Sequence, residues 1–196
     1  MKTIVIVLAL LTLGRAQQPP AASSTQAMYN SAAASADAKF RHIEENARRH
    51  PPDQTPTVLS EREINAYIAS GRVQLPVGVR TVAFTGQNGV LNTTARVDFD
   101  AITAQSRSSN PLLSLFSGVH EVHAVAHASG SGGQGQVHID SIDLDGTTIP
   151  RMALEFFIDH YLRPKYPEVG LDSTFALPSR IDTARIGDHQ LIVTQK

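Results

Sequence analysis

The side chains best suited to chemistry lie in the middle third of the chain. If Ser129 faces Gln136 and His127 faces His138 across the glycine-rich stretch Gly130 to Gly135, then His123, His127, His138 and Asp140 share one face of a strand pair. Imidazoles grouped with a carboxylate are the types that bind a transition metal or change charge near pH 6. Solvated strand histidines are the simpler reading, and the expectation is no metal and no cofactor. His120-Glu121-Val122-His123 does not supply a zinc motif, because two histidines three apart on a strand point to opposite faces. Gly130 to Gly135 has the letters G-x-G-x-x-G, but a strand follows the glycines where a dinucleotide site needs a helix. Ser141 to Gly146 is faintly like a calcium loop, but its first position is Ser and its twelfth is Met152, so the strongest ligands are absent. Cysteine is absent, and neither G-x-S-x-G nor S-x-x-K occurs, so the chain is read as non-catalytic.

The element that organises the rest runs from Val137 to Leu162. Val137 and Ile139 alternate in one phase, Ile142 and Leu144 in the other, which predicts a strand with a bulge near Asp140 or Ser141. Asp145-Gly146 turns the chain. A helix follows, with Thr148 as N-cap, Pro150 in the first turn and Pro164 as the stop. Ala153, Leu154, Phe157, Ile158, Tyr161 and Leu162 cover about half its circumference, and Met152 and Phe156 need a further cover. That cover is more protein, a lipid or a membrane.

The remaining elements read in order. Spacings of three and four from Met28 through Ala32, Ala36, Phe40, Ile43 and Ala47 predict a helix over 27–49, closed by His50-Pro51-Pro52. Ser60 to Glu63 is a capping box, flanked by Leu59 and Ile64 as a hydrophobic staple, with Gly71 at the far end of a short helix. Val79 to Ile102 is a hairpin about Asn88-Gly89, its second strand alternating from Leu91 to Ala101. Pro111 to Ser117 packs Leu112, Leu113, Leu115 and Phe116 behind the polar loop 104–110. Val119–Ser129 and Gln136–Leu144 form a second hairpin, and strands around Arg180–Ile186 and Gln190–Lys196 a third, joined at Gly187-Asp188. Lys165 to Pro178 is irregular, with Phe175 and Leu177 pinned to the core.

Composition sets the class. Lys2, the apolar run Ile4–Leu13 and Gly14-Arg15-Ala16 read as a secretory signal over 1–16, cleaved after Ala16, which predicts export to the periplasm or beyond. Gln17–Gln26 reads as a flexible leader and 27–196 as one domain. Removing residues 1–16 takes two of the 17 basic residues and none of the 18 acidic ones, leaving a formal charge of −3. Neither that charge nor any basic stripe suits nucleic-acid binding. Without cysteine there is no lipoprotein anchor and no disulfide.

Leu59-Ser60-Glu61-Arg62-Glu63-Ile64-Asn65-Ala66-Tyr67, the strand and turn Ile142–Pro150 with the helix to Leu162, and Leu177-Pro178 before the last strands carry a family likeness over most of 57–196. In these stretches the chain resembles the LmeA-like exported lipid-binding proteins of bacteria, themselves similar to the tubular lipid-binding group. The resemblance implies an α+β fold, a curved antiparallel sheet built from hairpins and wrapped against two to three amphipathic helices, with an apolar groove for acyl chains. The expected ligand is a lipid or apolar small molecule, with peripheral membrane contact as a further option. Expected groove residues are Met152, Phe156, Phe157 and Tyr161 on the helix, Leu112, Leu113 and Phe116 on the apolar run, and Phe99. The competing reading is a structural or protein-interaction module of the cell envelope with a fully packed core.

Overall fold

Alanine is the best helix former, and it occupies six positions between Ser24 and Asn46. In the computed structural model, which describes residues 24–103, 116–164 and 166–196, this stretch is the long helix α1 (Ser24–Asn46). Its buried face is Ala33, Ala36, Phe40, Ile43 and Asn46. The expected stripe is therefore corrected at its ends: Met28 is 54% exposed, and Asn46 replaces Ala47. Asn46 is buried because its amide is fully used. Its Nδ2 donates to Gln195 Oε1 (2.8 Å) and to the Asp53 carbonyl (2.7 Å), and its Oδ1 accepts from the Asp53 N–H (2.8 Å). This ties the end of α1 to the last strand.

The chain then forms β1 (Thr57–Ser60) and α2 (Glu61–Ala69). Both halves of the capping box are present, Ser60 accepting from the Glu63 N–H and Glu63 accepting from the Ser60 N–H. Next come β2 (Val79–Gln87), β3 (Val90–Asp98) and the short α3 (Phe99–Thr103). Asn88 and Gly89 have φ of 48° and 85°, the turn whose twist matches paired strands. The alternation expected to run to Ala101 stops at Asp98, whose carboxylate accepts the Ala101 N–H and opens α3.

A second hairpin joins β4 (Val119–Ser131) to β5 (Gln134–Leu144). Its register is Ser129 opposite Gln136 and His127 opposite His138, and the bulge falls at Asp140, since Ala126 faces Ile139 while Val125 faces Ser141. The glycine-rich loop is shorter than expected. Gly132 and Gly133 alone make the turn, while Gly130 and Gly135 sit opposite one another in the ladder. They are glycine for closeness: a Cβ on Gly135 would lie 2.5 Å from the Phe175 ring.

After β6 (Thr147–Thr148) come α4 (Arg151–Phe157) and a π-helical turn (Ile158–Leu162). Pro150, expected in the first turn, occupies the N-cap position without a side-chain capping bond, and Thr148, the expected cap, belongs to β6. Its second half is wider than the α-helix expected, the Arg163 N–H reaching back five residues to the Ile158 carbonyl. The stretch expected to be irregular holds β7 (Asp172–Ala176), paired with β5. The strands β8 (Ile181–Ile186) and β9 (Gln190–Gln195) complete the third hairpin.

The fold is α+β: nine antiparallel strands in one curved, open sheet, with four α-helices among the described residues. The order β1-β9-β8-β4-β3-β2 forms one path, and β5 leaves β4 to carry β6 and β7. Two apolar clusters fill it. One joins α1 and α2 to Leu59, Phe84, Leu91, Phe175, Leu177 and the β8–β9 hairpin. The other joins α3, α4 and the π turn to Ala95, Val97 and Leu144. Val82 packs against both. Among the described residues no helix is long and apolar enough to cross a membrane.

Candidate functional site

Four of the expected groove residues meet in one ring cluster. Phe157 of α4 stacks on Phe116 with centroids 4.4 Å apart and meets Phe99 edge-on at 5.5 Å, and Tyr161 lies 5.2 Å further along. All four are 6% exposed or less, so their faces cover one another. Phe156 lies at the margin, half-buried and stacked on His160. Met152 is 73% exposed. Leu112 and Leu113 lie outside the described residues.

A different concavity opens at the other helical layer. An open cleft of about 840 Å³ is lined by Ala27, Met28, Ser31, Ala32, Ser35 and Lys39 of α1, and by Val58, Ser60, Arg62 and Glu63 from β1 and α2. Its apolar walls exist because the first turns of α1 run past the packed region, leaving Met28 exposed, and because Val58 faces away from the core that holds Leu59.

The cleft has a polar floor centred on Glu63. Ser35 Oγ donates to this carboxylate (2.5 Å), Lys39 Nζ pairs with it at 2.7 Å, and the Ser60 N–H and hydroxyl reach it at 2.7 and 3.0 Å. Burial alone pushes the Glu63 pKa up, but these donors outweigh it and hold the group down at about 2. Ser35 and Lys39 stand one helical turn apart, as in a serine–lysine pair. Both are committed to Glu63, which binds α1 to α2. Sequence reading found Ser60 and Glu63 as a cap but placed Met28 in the packed stripe, and so missed the cleft.

The histidine face is as expected in register and is heavily paired. His127 Nδ1 lies 2.8 Å from Asp140, His138 bonds Asp172, and Asp172 also meets Arg151 at 3.4 Å. His123 is 3.8 Å from Asp143. His138 Nε2 also lies 3.8 Å from Asp140, so that carboxylate sits between His127 and His138, and among the described residues no group of three or more His, Asp or Glu is arranged to hold a metal.

The chain matches no family model, no curated protein and no solved structure. The resemblance to the LmeA-like proteins therefore rests on the sequence pattern alone.

Proposed function

We propose that the protein is an exported, non-catalytic binder of a lipid or comparable apolar ligand, seated in the cleft between α1 and the β1 edge of the sheet. The observation that carries this reading is the pairing of an open concavity with exposed apolar walls. Met28 and Val58 line the cleft at 54% and 40% exposure, where a monomeric surface ordinarily leaves large apolar side chains scattered. A volume of about 840 Å³ suits a small amphiphile. About eight buried methylenes contribute on the order of 6 kcal/mol of gross transfer energy, before the costs of association. The hydroxyls and ammonium of the floor are bound to Glu63, which supports a holding role over a catalytic one. The signal-like segment 1–16 supports export.

The test compares the protein with Val58→Asp, Met28→Asp and Met152→Asp variants for uptake of a fluorescent fatty acid. All three positions are exposed, so the fold is retained and only ligand contact changes. Saturable uptake lost in the first two and kept in the third is expected. Uptake lost only in Met152→Asp moves the site to the ring cluster. No uptake by the unaltered protein, with no lipid extracted from it, overturns the reading in favour of an envelope interaction module.

A further inference from the structure

His120 is the one imidazole in the described chain held tightly at both ring nitrogens. Its Nδ1 lies 2.6 Å from Asp145 Oδ2 and its Nε2 lies 2.6 Å from the Ser117 carbonyl oxygen. Both partners are acceptors, and a neutral imidazole has only one N–H to give. The arrangement therefore selects the imidazolium. We propose that His120 is a proton-operated latch that clamps the Phe116–Gly118 turn onto the ring cluster when the imidazole is charged and releases it when the imidazole is neutral.

The connections to the cluster are short. Ser117 follows Phe116, whose ring stacks on Phe157 and lies 5.5 Å from Phe99. The next residue, Gly118, accepts the Phe99 N–H (2.9 Å) and donates its own N–H to Asp100 (3.0 Å). Its φ of +80° makes this a turn that ordinary side chains resist. Asp145 is fixed independently, its other oxygen accepting the Glu121 N–H at 2.9 Å. When the ring loses its second proton, the Ser117 carbonyl is the partner that lets go, because the carboxylate is the stronger acceptor and is held in place.

The charged groups facing His120 are both acidic: Asp145 from the β5–β6 turn and Asp100 from α3. The Phe99 ring lies 6.0 Å away. The hydrogen bond to Asp145 is the main cause that raises the His120 pKa, and the same bond lowers that of Asp145. Asp145 stays bonded in both states, so the open turn's His120 pKa already lies above the ordinary value near 6.5 and the Ser117 bond raises it further on closure. The closed turn is stabilised fully below the open-turn value and loses that effect as pH rises through the closed-turn one. The latch is thus closed in acid and open in mild base. It stands apart from the α1 cleft and holds with or without a ligand there.

Amide hydrogen exchange at Phe99 and Gly118, corrected for base catalysis, tests this together with an NMR titration of the His120 ring. Protection at both amides is expected to fall with rising pH between the open-turn and closed-turn pKa values, both above the ordinary value near 6.5, by up to about tenfold per pH unit. Asp145→Asn, tolerated because Asn also accepts the positive φ of this position, moves the fall to lower pH. His120→Gln leaves both amides weakly protected at every pH. PH-independent protection in the unaltered protein overturns the latch, as does a His120 ring that titrates at or below the ordinary value. If His120→Gln does not fold, the unaltered protein and Asp145→Asn decide.

Discussion

Glu63 carries two tasks at once, capping α2 and receiving the Ser35 and Lys39 side chains of α1. Its side chain is 11% exposed, so these bonds are made largely out of water. Glu63→Gln removes the charge and is expected to cost about 3 kcal/mol at pH 7 by chemical denaturation, in line with a pKa moved from 4.5 to about 2. For a lowered carboxylate the stabilisation is full above about 4.5 and is lost as pH falls toward 2. The variant should therefore show a flatter stability profile across that acid window, and an unchanged slope would refute the assignment. Of this arrangement only the cap was legible, because Ser60 and Glu63 are three residues apart, while Ser35 and Lys39 come from a separate helix. Asn46 and Gln195 were illegible for the same reason. Their amides meet across 149 residues, and nothing local marks a polar residue as buried.

At the scale of elements, the features set by near neighbours were readable. The Asn88-Gly89 turn, the β4–β5 register, the Asp140 bulge and the α2 cap all follow from residues within one hairpin or one helical turn. The short elements were not. β1 exists because Thr57–Ser60 pairs with β9, and β7 because Asp172–Ala176 pairs with β5, so each strand is set by a partner distant in sequence. In α1 the phase was blurred, because alanine at 32, 33, 34, 36 and 38 gives no contrast between faces. Glycine closeness in the β4–β5 ladder offers a direct check. Gly135→Ala sets a methyl against the Phe175 ring and is expected to cost roughly 1–3 kcal/mol. For a chain of this size that is a fall in Tm of about 2–4 °C per kcal/mol. A melting temperature equal to that of the unaltered protein would show that Phe175 moves aside freely.

For the molecule as a whole, the fold class was legible from alternating strands, and the α1 cleft was not. The apolar helix of the sequence reading spends its aromatic rings on one another, while the concavity with exposed apolar walls lies at α1, which the family likeness did not cover. The ligand-binding claim is tested most directly by photolabelling with a diazirine-bearing fatty acid, followed by peptide mapping of the attached residues. The account predicts label on α1 around Met28 and Ala32 and on β1 around Val58, competed away by unlabelled fatty acid. Label confined to Arg151–Leu162, or none that unlabelled fatty acid displaces, would contradict it.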